Sequence, residues 1–187
     1  MSNEDALAAQ TAASDALRAN PDDVAALQDL GISLLQLREP EKAIEPLEHA
    51  VRLAPKVWDA QFNLARAQAA VGRWRDAATS LQAARELKPD DYMTSFDLGL
   101  ALHRAGDDEA AVNEYRRAMS LGPRDPSFSR SLAISLERTG QVADSVRAYQ
   151  EYLMLVPQAT DARQIAQRIA RLQRLDNGGA ASKARIE

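Results

Sequence analysis

A chain of 187 residues with 45% hydrophobic but only 5% aromatic content suits closely packed helices better than an aromatic-rich β core, and the lack of cysteine removes disulfides, thiolate nucleophiles and cysteine metal sites together. A formal net charge of −4 supplies no overall field to gather phosphate backbones, so nucleic acid is not expected as a partner. The opening "MSNEDALAAQ" sets acids where a signal peptide has a basic segment and an apolar core, and no run of ~18 apolar residues occurs, so the expectation is a cytoplasmic chain without a membrane partner.

Residues 1–23 contain "EDALAAQTAASDALRA", in which Ala9, Ala13 and Ala16 share a helical stripe. They precede Pro21, the first of five prolines (Pro21, Pro55, Pro89, Pro123 and Pro157) that recur every 34 residues. A fixed period of that length marks a repeat architecture. Span 24–157 therefore divides into four units, 24–57, 58–91, 92–125 and 126–159, with 1–23 expected to be an N-terminal half-repeat or capping helix.

Within the units, Leu30, Leu64, Leu98 and Leu132 are each followed by a small residue, Gly31, Ala65, Gly99 or Ala133. A large residue beside a small one fits helix pairs whose axes approach to about 8–10 Å. Gly72, Gly106 and Gly140 then recur at one register, where a left-handed residue ends the first helix, and Arg38 stands there in the first unit. A second helix follows, with Ala43, Ala77 and Ala111 at one buried position, Leu47, Leu81 and Tyr115 at the next, and Ala50, Ala84 and Ala118 beyond. The fourth unit departs from this stripe with Ser145, Tyr149 and Tyr152. Units meet at "NPDD", "KPDD" and "GPRD", where proline discourages the preceding helix from continuing and aspartate accepts from the free amides of the next. These acids read as helix caps rather than as catalytic or metal-binding carboxylates.

Past the last full unit, "TDARQIAQRIARLQRL" places Ala162, Ile165, Ala166, Ile169 and Leu172 on one stripe with Arg163, Arg168, Arg171 and Arg174 elsewhere, so 158–175 reads as a C-terminal capping helix. Residues 176–187 carry no apolar period and are expected to form a flexible tail.

The "LGLAL" of 98–102, "AVNEY" of 111–115, Ala118, Pro123 and the "GRWRDAA" of 72–78 together resemble the tetratricopeptide repeat family. The family's tryptophan position is held here by Leu27, Gln61, Ser95 and Ser129. The resemblance implies an all-α fold: antiparallel helix pairs stacked into a right-handed α-solenoid, with first helices lining a concave, partner-binding face. One binding mode of the family, in which lysines, asparagines and a basic residue hold a terminal carboxylate of heat-shock chaperones, does not carry over. The matching positions here are Gln28, Ile32, Asn63, Met93 and Asp97, of which only Asn63 fits.

On the first helices, Phe62 and Phe96 stand 34 residues apart and form the clearest rung of a groove. Met93, Leu100 and Ile134 add an apolar floor, while Arg66, His103, Arg104, Arg130 and Arg138 supply walls, with Asn63 beside them. An exposed Phe can anchor a partner and arginines can pair with its carboxylates, so the expected ligand is an amphipathic protein or peptide with acidic groups. The alternative is that both Phe rings simply pack between first helices. His49 and His103 lie in different units, and neither nucleophile triad, metal cluster nor phosphate loop accompanies them, so no enzyme, metal site or cofactor is expected. The chain reads as an adaptor. Two alternatives stand beside that reading: the targeting segment of a larger enzyme, and a self-assembling scaffold with weak self-association. The latter rests on charge, because 1–23 holds five acids against Arg18 while 158–175 holds four arginines against Asp161.

Overall fold

Aspartates that follow the repeat prolines do cap helices. Asp23 Oδ1 accepts from the amides of Ala25 and Ala26 at 3.0 and 3.1 Å, Asp91 Oδ2 from that of Thr94 at 2.7 Å, and Asp125 Oδ1 from that of Ser127 at 2.7 Å. Each satisfies amides that the first turn of a helix leaves free. The computed structural model describes residues 3–183, with side chains to Leu175. Its helices are α1 (Asn3–Ala19), α2 (Val24–Gln36), α3 (Pro40–Leu53), α4 (Trp58–Ala70), α5 (Trp74–Leu87), α6 (Tyr92–Ala105), α7 (Asp108–Leu121), α8 (Pro126–Arg138), α9 (Val142–Leu155) and α10 (Ala162–Lys183). No strand occurs among the described residues. First helices open at residues 24, 58, 92 and 126, the starts of the four units.

Packing within a unit follows the large–small pair. A Cβ placed on Gly31 would sit 2.4 Å from Leu47 Cγ, and one on Gly99 would sit 2.7 Å from the Tyr115 ring. The small residue of the first helix is thus the seat for the large residue of the second. Along the second helices Ala43, Ala50, Ala77, Ala84, Ala111 and Ala118 are completely buried. The fourth unit keeps the geometry by other means. Ser145 Oγ donates to the Ala133 carbonyl at 2.9 Å, and the Tyr149 and Tyr152 hydroxyls donate to Glu137 and Asp161 at 3.2 and 2.7 Å. A buried hydroxyl with an acceptor costs little, so the departure is tolerated. Between the helices of each unit, Gly72, Gly106 and Gly140 adopt φ of 78°, 92° and 75°, and Arg38 is forced to 61°.

Every helix packs on its neighbours in the chain, so the elements form a continuous stack: an all-α repeat solenoid. First helices also meet across units, α2 with α4 and α6 with α8, whereas no two second helices approach comparably among the described residues. This asymmetry puts the first helices on the inner side of the curve.

At the N-terminal end α1 packs on α2, burying Ala6 and Ala13. At the other end α10 buries Ile165, Ile169 and Leu172 against the α9 side, but Ala166, expected in the same stripe, is exposed. The helix also runs to Lys183, beyond the expected boundary at Leu175, while 184–187 lie outside the described residues. Extending an existing helix adds one hydrogen bond per residue fixed, and Ala180 and Ala181 favour it despite Gly178 and Gly179. No helix among the described residues is long and apolar enough to cross a membrane.

Candidate functional site

Solvent reaches the first helices along a repeating set of positions. Their second residues (Ala25, Asp59, Met93 and Ser127) and thirteenth residues (Gln36, Ala70, Arg104 and Arg138) are all exposed, and their fifth and ninth are half-buried or exposed. All the residues expected to bind a partner lie on α4, α6 and α8. Their side chains, however, are engaged very differently from one another.

Phe62 stacks on Trp58 with ring centres 4.8 Å apart and packs on the core shared by α4, α5 and α6. Phe96 lies 4.7 Å from the Phe128 ring and 5.7 Å from that of Tyr115. Both rings are half-buried, and Phe96 in particular is held between helices rather than offered as an anchor. Ile134 likewise packs on the core around α8 and α9, while Met93 is 42% exposed and free to contact a ligand.

Most of the arginine wall is already satisfied. Arg138 Nε donates to Asp108 Oδ2 at 2.6 Å, and His103 Nδ1 lies 2.6 Å from Asp108 Oδ1 with Ser135 Oγ 3.2 Å away. Burial pushes the Asp108 carboxyl up, but hydrogen bonds with His103, Ser135 and Arg138 outweigh it and hold the group below its ordinary value. Arg130 Nε donates to Asp161 Oδ2 at 3.1 Å beside the Tyr152 hydroxyl, along a hollow of about 580 Å3 next to α8. Arg104 lies over the Trp74 ring, 5.6 Å from its centre. The sequence reading missed Asp108, Asp161 and Trp74. No repeat signal marked them: Asp76 and Asp144 share a register, but its member in the third unit is Ala110, and Asp108 stands at the register of Trp74.

One hollow brings expected residues together. Between α4, α5 and α6, a hollow of about 340 Å3 is lined by Ala65, Ala69, Ala70, Leu81, Leu100 and Ala101 together with Arg66, Asp97 and Trp74. Arg66 is exposed and donates to the buried Asn63 Oδ1 at 3.3 Å. The Asp97 carboxyl is pushed up to about 6, chiefly by burial and further by Asp91, with Arg66 opposing. An apolar floor with two opposite charges in its lining can seat a hydrophobic side chain and orient the polar groups flanking it. No group of three or more His, Asp or Glu able to hold a metal ion occurs among the described residues.

Comparison with known proteins agrees with this architecture. The family model described as "Tetratricopeptide repeat" matches residues 1–57, 62–126 and 109–162. Among solved structures, MamA superposes with a TM-score of 0.73 at 25% identity, covering 78% of this chain and 85% of that one. YrrB, described as a TPR protein with an unusual peptide-binding site, gives 0.76 at 16% identity over 87% of this chain and 84% of its own. A thermophilic TPR protein of Thermus thermophilus gives 0.58 at 22% identity over 88% of each chain. No curated protein matches the chain.

Proposed function

Because the chain belongs to the tetratricopeptide repeat family, we propose that it is a non-enzymatic protein-interaction scaffold whose hollow between α4 and α6 captures a peptide or helical segment of a partner. The observation that carries this reading is the apolar floor of that hollow, with Arg66 and Asp97 both in its lining. A large apolar side chain of the partner fills the floor and displaces water from the alanines and Leu100. Arg66, exposed and donating to the Asn63 amide oxygen, takes an acidic group of the partner, and Asp97 accepts from a donor such as a backbone amide or an amine. Arg130 and Arg138 serve the scaffold instead, because their charges are met by Asp161 and Asp108.

Selection of displayed random peptides against the intact chain tests the reading. Selected sequences should share one large apolar residue with an acid close by, and Leu100→Arg, which fills the hollow with a charged chain, should lower their affinity by about tenfold or more. Retention of affinity in a folded Leu100→Arg protein would rule the hollow out.

A further inference from the structure

The ends of the array carry the two halves of a repeat. Helix α1 stands in second-helix register, with Ala9, Ala13 and Ala16 where the first full unit has Ala43, Leu47 and Ala50. In that unit a first helix covers the stripe and all three residues are completely buried. Of their counterparts on α1, Ala13 is buried but Ala9 and Ala16 are half-buried, and Ala12 beside them is exposed. These residues, with the capping Asp23 and with Asp29 and Ile32 of α2, wall a groove of about 460 Å3. Elsewhere in the stack the space beside a second helix and the following first helix is held by another first helix, as α2 lies against both α3 and α4.

Helix α10 has the converse form. Its buried residues Ile165, Ile169 and Leu172 repeat the spacing of Phe128, Leu132 and Ser135, the third, seventh and tenth residues of α8. Ile169 and Ala170 then fall on the large–small pair, with Ala170 at the place where Gly31 and Gly99 receive Leu47 and Tyr115. The fourth residue of a first helix is buried in all four full units, as Leu27, Gln61, Ser95 and Ser129. Its counterpart on α10, Ala166, is exposed. This helix therefore has a first helix's face toward the preceding second helix and leaves uncovered the face that takes its own.

Charge identifies the occupant. Arg163, Arg171 and Arg174 are exposed on α10 and make no ion pair among the described residues. Asp29 is exposed in the wall of the groove, which Asp23 also lines. We infer that a second copy of this chain completes the junction: α10 of one copy lies in the groove between α1 and α2 of the next, pairing with that α1 as a first helix pairs with its second. The contact is heterologous, so it propagates into an open filament or closes as a ring. It uses the ends of the array and leaves the hollow between α4 and α6 free.

Sedimentation velocity of the intact chain across a concentration series tests this, with a charge swap as control. At low salt the wild-type mass should climb with concentration, and high salt should return it to monomer. Arg163→Glu with Arg174→Glu in one protein, and Asp29→Arg in another, should each be monomeric alone and should associate when mixed, because each mixed junction again opposes unlike charges. Circular dichroism checks that both variants keep their helices, and their affinity for peptides selected on the α4–α6 hollow should stay unchanged. Wild type that remains monomeric throughout, or variants that associate alone as wild type does, would overturn the inference whatever the peptide result.

Discussion

Asp108 and Arg138 stand 30 residues apart in the chain, yet Asp108 Oδ2 accepts from Arg138 Nε at 2.6 Å, tying the start of α7 to the end of α8. The same carboxylate meets His103, so one acid between the two helices of the third unit holds two of the residues that the sequence alone assigned to a ligand.

That relationship predicts a stability effect. Asp108→Ala should lower unfolding stability by about 2 kcal/mol, since charge-assisted hydrogen bonds at a largely buried carboxylate are lost. The folded carboxyl sits below its ordinary value of 3.8, so its contribution is present above that pH and lost as pH falls through the folded value. Urea unfolding between about pH 2 and 6 should accordingly show a smaller acid-side loss in the variant than in wild type.

Asp97 has the opposite sign. Burial holds its proton to about pH 6, whereas the unfolded carboxyl releases it near 3.8, so stability falls as pH rises through that window. Asp97→Asn should therefore raise stability at neutral pH by about 1–3 kcal/mol and flatten the slope between about pH 4 and 6, as read by thermal unfolding over a pH series.

Phe96→Ala should act on the fold. The ring is packed against Phe128 and Tyr115, so its truncation should cost about 2–3 kcal/mol in chemical unfolding. Peptide affinity measured well below the transition should change much less than it does with Leu100→Arg.

Arg38→Gly should stabilise the protein by about 1 kcal/mol, because Arg38 holds a φ of 61° at the register where the other units have glycine. A rise in the unfolding midpoint with an unchanged denaturant slope checks it.

The helix pairs were legible in the sequence because their causes are local and repeated: a proline every 34 residues, a capping aspartate after it, a leucine beside a small residue. Side-chain partnership between units was not. Arg130 and Arg138 lie on the exposed side of α8, as periodicity indicates, but the acids that meet them come from α7 and from the turn before α10, and no spacing within a helix encodes such a pairing. The packing of the Phe96 ring was hidden for a related reason. Position on a helix gives its direction but not how closely Phe128, one unit further on, approaches it. Of the candidate site, Arg66 and Leu100 were anticipated, while the Asp97 and Trp74 edges emerged only from the packing of α4, α5 and α6.

The most direct test of the account is an NMR titration of the isotope-labelled chain with a selected peptide, following backbone amides and the Trp74 indole. Saturating shifts concentrated at Arg66, Ala69, Trp74, Asp97 and Leu100 are the result expected of a ligand in the hollow. Shifts confined to the outer faces of α5 and α7, with those residues unmoved, would contradict it.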